Sequence, residues 1–488
     1  MTNSTVRRTA PAALVLSSIF VAAPALAQNH PFPTAAHYAQ GFVPSAVTTA
    51  VVQSSYANWK SKYLLGDCGS GAYRVDNALG DGSTFSEGQG YGMVLTAYFG
   101  DKAQFDGLWS FAQKNYGGGG LMGWHVTCGG PTSSDGGDNS ATDGDTDIGF
   151  ALIVAAAQWG GTYAQQAKTY LATLKSVDFE TCPTTGRILA NAGSWQSGTD
   201  ACSGGSNTSY WMPGYYRVFA AFTGDAFWTK AADDAVTLYG LGANSTTGII
   251  VNELDENGMP IQGETYDYNS CRIPWRDVLD YLWFGTAGAK QTAAKLTTWA
   301  NGVGVGNLVD GYNADGTPTG TNPEMNAFVG GFAAGAMASS QSIVDAFATN
   351  FVGIDDDNGT YYGASLRTLY LLTLSGNEWN PLESATDGGT GGGSGGSGSS
   401  GSSSGAGSGS GGSGGSSGGA SSGSGSSSGA SAEGDAGNGA SSGGSGSSGG
   451  CGCSSAPGDV PAWAVGGLLV PLALFGRRSR GRARKGDR

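Results

Sequence analysis

Histidine is nearly missing from this chain of 488 residues: His30, His37 and His125 stand far apart. There is no HExxH and no paired CxxC, so no stretch has the ligand spacing of a zinc site, and none is expected. Basic residues are scarce as well, with 24 Lys and Arg against 38 Asp and Glu. The two ends of the chain hold 9 of the basic residues, and the region beyond position 387 holds 4 of the acidic ones. Residues 28–387 therefore carry a formal charge of about −19. Such a field excludes nucleic acid as a partner and suits a neutral or cationic one. No run alternates apolar and polar residues over the length of a strand, which argues against an all-β fold.

Glycine, by contrast, abounds, and much of it is concentrated. From Gly388 to Gly450 the chain is almost entirely Gly and Ser, a composition that cannot bury enough apolar surface to offset the entropy of ordering. That segment reads as a linker. Residues 1–27 read as a secretory signal peptide: Arg7 and Arg8, an apolar run from Ala12 to Ala23, then Ala25-Leu26-Ala27. Residues 451–488 open with Cys451-Gly452-Cys453, continue through an apolar run from Val460 to Phe475 and end in six basic residues from Arg477 to Lys485, followed by Arg488. The run is slightly short of the twenty or so residues of a typical span, and the basic end should stay cytoplasmic. This ending resembles the MYXO-CTERM sorting tag, which implies display at the cell surface with the segment transiently or stably in the membrane. A plain membrane anchor is the alternative. Residues 28–387 hold Cys68, Cys128, Cys182, Cys202 and Cys271. In an oxidising compartment Cys182 and Cys202 can close a short loop, and an odd count leaves at least one thiol.

The periodicity of residues 43–374 predicts about twelve helices. They cover roughly 43–65, 87–99, 102–115, 145–159, 163–175, 209–223, 226–240, 271–286, 289–301, 326–338, 341–350 and 360–374. Short and long connections alternate, so antiparallel hairpins could close into a double ring with the long loops gathered at one end. A binding groove belongs at that end.

Three acidic clusters fall in those loops. In STFSEGQGYGM, residues 83–93, Ser86 can cap a helix whose first turn holds Glu87, and Gly88, Gly90 and Gly92 would let a ligand approach the backbone. In SATDGDTDI, residues 140–148, Asp143, Asp145 and Asp147 mimic the start of an EF-hand. Ile148 and Val154 occupy its glycine and glutamate positions, so calcium binding by that geometry fails. Asp143 and Asp147 share one helical side. The third cluster, GETYDYNSCRIPWR at 263–276, places Glu264 and Asp267 beside two arginines at a helix start. Trp124, Trp195, Tyr210, Trp211 and Trp275 crowd the same loops, as rings do where sugars stack.

SEGQGYGM, LMGWH at 121–125, NSATDGDTDIGFALIVAAAQW at 139–159, SYWMPGYYRVFA at 209–220 and CRIPWR at 271–276 occur in this order. Together they resemble glycoside hydrolase family 8 from about Tyr56 to Leu374, with Gly149 where the family signature usually has alanine. The resemblance implies an all-α fold, an (α/α)6 barrel, and inverting hydrolysis of β-1,4-glucan, mixed-linkage β-glucan, xylan or chitosan. It implies that Glu87 is the general acid and that Asp143 holds the sugar at the cleavage point. It also implies substrate contacts from Trp124, Tyr210, Trp211, Asn269, Arg272 and Trp275. An inverting enzyme pairs a protonated carboxyl with an ionised one about 6.5–9.5 Å away that activates water. In much of the family that base is an aspartate where this chain has Asn269, and an amide cannot take the proton. The branch that includes the chitosanases has asparagine there and uses a glutamate on a nearby loop. Glu264 is the favoured base by proximity and Asp267 the second, with Glu253, Asp255, Glu256 and Glu324 open.

The expected protein is a secreted or surface-displayed, monomeric inverting endo-β-1,4-glucanase acting on polysaccharide without a cofactor. A chitosanase or lichenase of the same family is the alternative. From another class, a glucan-binding surface protein that has lost its base fits the same residues.

Overall fold

The structure, a computed structural model, describes residues 28–34, 38–196, 200–261, 263–323, 325–354 and 359–383. The signal peptide, linker and sorting segment read from the sequence lie outside these residues, as do His37 and Glu324. Among the described residues no helix is long and apolar enough to cross a membrane.

The helices are α1 (Thr49–Tyr63), α2 (Ser86–Tyr98), α3 (Lys102–Lys114), α4 (Thr142–Trp159), α5 (Tyr163–Val177), the short α6 (Asp200–Gly204), α7 (Pro213–Thr223), α8 (Ala226–Gly242), α9 (Ile273–Phe284), α10 (Ala287–Val303), α11 (Asn326–Ala336), α12 (Gln341–Val352) and α13 (Tyr361–Leu374). Apart from α6 these are the twelve expected, with ends displaced by a few residues. The sixth expected helix starts at Pro213 rather than 209, because proline suits a first helical turn while the preceding residues form a 3-10 turn. Very short antiparallel strands, such as Ser83–Phe85 with His125–Thr127 and Ser206–Asn207 with Glu253–Leu254, tie the long loops together. At two or three residues they are too brief to show a period of two in sequence.

Six helices, α2, α4, α7, α9, α11 and α13, form an inner ring, each packed on the next and α13 on α2. The other long helices lie outside them. Burial separates the two sets. In α2 every residue except Glu87 is buried, and α11 is buried throughout. In outer α12 only Val344, Phe347, Ala348 and Phe351 are buried, one stripe at helical spacing. The apolar face read on α4 is thus part of a helix covered nearly all round. Gly149, the departure from the family signature, lies where an added Cβ would come within 2.9 Å of Leu171 on α5.

The inner helices turn back into the outer ones through short links at their C-terminal ends. Gly224 and Gly285 adopt the left-handed conformation there, and their N–H groups close the last turns on Ala220 O and Tyr281 O. At this closed end Trp379 stacks on His30 at 3.9 Å, and its carbonyl accepts from Tyr98 Oη at 2.8 Å. The long loops emerge at the opposite end, over the N-termini of the inner helices. Cys182–Cys202 is bridged as the sequence suggests, Cys68–Cys128 forms a second bridge, and Cys271 is a buried free thiol.

Two buried acids are held above the usual carboxylate range. Burial pushes Glu378, on the barrel floor, and Asp178, which accepts from Ser140 Oγ at 2.6 Å, each up to about 7. A carboxyl with a raised folded-state pKa stabilises the fold while it stays protonated and loses that contribution as pH rises through the folded value. For Glu378 the shift is worth roughly 3 kcal/mol. The Tm measured by calorimetry should fall as pH climbs from about 5 to 7, between the ordinary and the raised value, and Glu378→Gln should lessen that fall. A Tm that stays level in the parent protein would refute the assignment.

Candidate active site

The site begins with missing side chains. A Cβ on Gly90 would lie 2.8 Å from Gly144 O and from Asp147 Cβ, and one on Gly144 would lie 2.5 Å from Ser86 and 2.7 Å from Glu87 N. The N-terminal turns of α2 and α4 therefore touch through glycine, which sets Glu87 beside Asp143. Gly88 and Gly92 are likewise covered, by Tyr361 and Val75. These glycines make room for neighbouring elements rather than for a ligand, which corrects the reading from sequence. Ser86 does not cap α2 either: Phe85 holds the cap position and Ser86 is buried as the first helical residue. Gly144→Ala should cost about 1–3 kcal/mol through overpacking. Because the clash falls on the Glu87 backbone, kcat should fall more steeply than that loss of stability explains. Thermal melts with kinetics would show it.

Arg272, 1 % exposed, ties the acids together. Its Nη1 donates to Glu87 Oε2 at 2.8 Å and to Asp143 Oδ2 at 2.7 Å, so the two carboxylates are within two hydrogen-bond lengths of each other. Its Nη2 donates to Ser209 Oγ at 2.7 Å. Arg272 thus serves the acids from beneath, in place of the substrate contact expected of it. One turn further along α4 and α9, Arg276 grips Asp147 with two bonds of 2.8 and 2.6 Å. The shared helical side of Asp143 and Asp147 becomes two parallel arginine–aspartate rungs.

Glu87 and Asp143 differ in access: 17 % of the Glu87 side chain is exposed against 4 % for Asp143. Burial raises Glu87 most; the Arg272 charge pulls it back, Asp143 raises it again, and the result is about 7. Glu87 Oε1 accepts from Tyr361 Oη at 2.9 Å.

Tyr210, half-buried, lies under the Arg272 guanidinium at 5.7 Å. Burial raises its hydroxyl far above the usual value. The charges it feels next are those of Asp143, Arg272, Glu87 and Glu253, so it stands between the acid pair and a second acidic group. That group is Glu253, Glu264 and Asp267. Burial, then Glu264, pushes Glu253 up to about 7, and burial, then Asp267, raises Glu264 against a bond from Asn252. Asn252 Oδ1 accepts from Ser270 N and Oγ at 3.1 and 2.9 Å, which fixes these acids to the turn holding Asn269. Asp267 spends its oxygens locally, on Asn269 N at 3.2 Å and Thr265 Oγ1 at 3.2 Å. Glu253 was one of several open candidates in the sequence; the backbone bonds from Asn252 N to Thr265 O at 2.9 Å and from Ile261 N to Glu253 O at 3.1 Å bring its segment beside that of Glu264. Glu256 is occupied elsewhere, accepting from Thr185 Oγ1 at 2.6 Å.

The aromatic residues divide. Trp124 is half-buried beside Glu87, stacked on Phe85 at 5.7 Å, and Trp195 is 45 % exposed. Trp211 and Trp275 are 2 % and 0 % exposed, with indole N–H groups bonded to Ser206 Oγ and Thr373 Oγ1. No ring face of theirs reaches the groove, so the expectation that they contact substrate is corrected: they build the walls. Among the described residues, the two places where three metal-ligating side chains converge each contain a disulfide, whose sulfurs are already bonded.

The family model for glycosyl hydrolases family 8 matches residues 30–376. Endoglucanase A of Acetivibrio thermocellus is 34 % identical over 350 residues, covering 68 % of this chain and 71 % of that one. The Beta-glucanase of Niallia circulans is 32 % identical over 401 residues, covering 75 % and 94 %. Among solved structures, the apo Beta-1,3-1,4-glucanase from Paenibacillus sp. X4 superposes with a TM-score of 0.64 at 29 % identity, covering 72 % of this chain and 99 % of that one. A double ring of helices with Glu87 at its mouth, matched by the family model over nearly its whole described length, places this chain in glycosyl hydrolase family 8.

Proposed function

We propose that this chain is an inverting endo-β-1,4-glucanase in which Glu87 protonates the leaving oxygen and Glu264 takes a proton from the attacking water. The observation that carries the reading is the single Arg272 nitrogen shared by Glu87 and Asp143, with Glu87 raised to about 7. A carboxyl at that value keeps its proton near neutral pH yet can surrender it. Asp143, buried and ion-paired to Arg272, positions the sugar. Glu264 is favoured over Asp267 because the latter's oxygens are engaged within its own turn. Trp124 and Tyr210 offer ring surface to the glycan, and Asn269 lies on the turn beside the base.

The names of the relatives support a glucan substrate. The likeness to a β-1,3-1,4-glucanase supports a second reading, mixed-linkage glucan. Reducing-end release on carboxymethylcellulose, barley β-glucan, xylan and chitosan decides between them, and proton NMR of the first product tests inversion. Release from chitosan or xylan alone, or a product that retains configuration, would overturn the proposal. The same reading has the enzyme exported, its two disulfides formed in an oxidising compartment, acting as a monomer and displayed through its C-terminal sorting segment.

A further inference from the structure

We infer that His125 is a positioning residue for the sugar platform at Trp124, and that it holds the platform only while protonated. This rests on the reading of Trp124 as a glycan contact. His125 Nδ1 meets Asp135 Oδ2 at 2.6 Å, and its Nε2 meets Ser83 Oγ at 2.8 Å. Ser83 has a single hydroxyl proton and gives it to Asp81 Oδ1 at 2.7 Å, while the Asn77 amide donates to the same hydroxyl oxygen. With that proton spent, the contact between Ser83 and His125 needs a hydrogen on Nε2. The contact to Asp135, which takes only acceptor roles, needs one on Nδ1. Both ring nitrogens donate, so the ring in this arrangement is the imidazolium.

Three segments converge on that ring. Asp135 also accepts from Thr132 Oγ1 at 2.7 Å and Gly137 N at 3.1 Å, and the adjoining Gly136 carbonyl accepts the Trp124 indole N–H at 3.1 Å. Ser83 lies on the strand paired to His125–Thr127, with Phe85 opposite His125. The Trp124 carbonyl accepts from Ser86 N at 2.9 Å, one residue before Glu87. The imidazolium thus clamps the loop that grips the indole to the strand that launches the catalytic helix. The charged groups facing it are Asp135 on one side and Asp81 on the other. Behind the strand, Arg74 bonds Ser83 O and is itself paired with Asp67 and Asp76. Burial works against ionisation of both flanking acids. Bonds from Thr132 and His125 to Asp135, and from Ser83 to Asp81, nevertheless hold them below the usual carboxylate range. Both therefore act only as hydrogen-bond acceptors toward the ring and Ser83.

Loss of that proton leaves Ser83 with one hydrogen and two acceptors, Asp81 and Nε2. One side of the clamp must release. The sign follows: a histidine that gains partners in its charged form keeps the clamp closed at low pH and opens it as pH rises.

The test uses Glu87→Gln, which removes turnover and the titration of Glu87, with cellohexaose as the probe, its affinity read by calorimetry from pH 5 to 8. The affinity should weaken roughly three- to tenfold with rising pH, the net worth of one hydrogen bond. In Glu87→Gln/His125→Gln the pH trend should vanish. In the single variant, the NMR shifts of the His125 ring and the Trp124 indole N–H should move with one midpoint. A trend that persists without His125, or a ring that keeps one protonation state while affinity changes, overturns the proposal. Glu87→Gln/Trp124→Ala separates the two levels. Unchanged affinity there removes the platform and this inference with it. Weakened affinity, with a pH trend that survives His125→Gln, removes the clamp alone.

Discussion

Glu87→Gln should lower kcat on β-glucan by about 10²–10⁴ with little change in KM, the usual worth of a general acid. The amide keeps the size of the side chain; its oxygen can still accept from Arg272 while its NH2 donates to Tyr361 Oη, so the groove should stay intact. What it lacks is a proton to give. Two readouts identify the loss as one of proton donation. The alkaline limb of the parent's pH–rate profile, expected near the raised value of about 7, should disappear. An aryl cellobioside, whose leaving group departs without protonation, should be spared most of the loss. A kcat within twofold of the parent would remove Glu87 from the chemistry.

The second large effect belongs to the other proton. Glu264→Gln should also cost about 10²–10⁴ in kcat, the scale for a general base. Added azide, a nucleophile that needs no deprotonation, should restore part of the rate. Asp267→Asn should cost far less, because the amide oxygen can still accept from Asn269 N while its NH2 donates to Thr265 Oγ1. Glu253→Gln should cost less than Glu264→Gln, since burial and the Glu264 charge push Glu253 up to about 7 and keep it protonated where a base must be ionised. If Glu253→Gln is the variant that azide rescues, the roles of the two glutamates exchange. If none of the three variants loses activity, the water is activated elsewhere.

Much of this architecture is legible in the residues, because six inner-ring helices are apolar over long stretches and the six long outer ones carry an apolar stripe at helical spacing. Glu87 and Asp143 stand out because each opens a helix within a glycine-rich motif. Other features leave no local trace. Trp211 and Trp275 have the composition of platforms and the burial of a core, and only packing distinguishes a ring that faces a groove from one that backs it. Arg272 reads as a sugar ligand until α9 is set against α2 and α4, where its charge is needed between two carboxylates. The bridge Cys68–Cys128 spans 60 residues, and no spacing rule points to it. The glycines of α2 were legible as missing side chains, but what fills the space is a property of the neighbouring helix.

The stacking of His30 on Trp379 bears on how such a protein can be mounted. Both polypeptide ends of the ring meet at the C-terminal side of α2, and its thirteen residues put Glu87 roughly 20 Å from that floor. A support coupled at either of these two described ends would be attached on the face away from Glu87, leaving the cleft unobstructed.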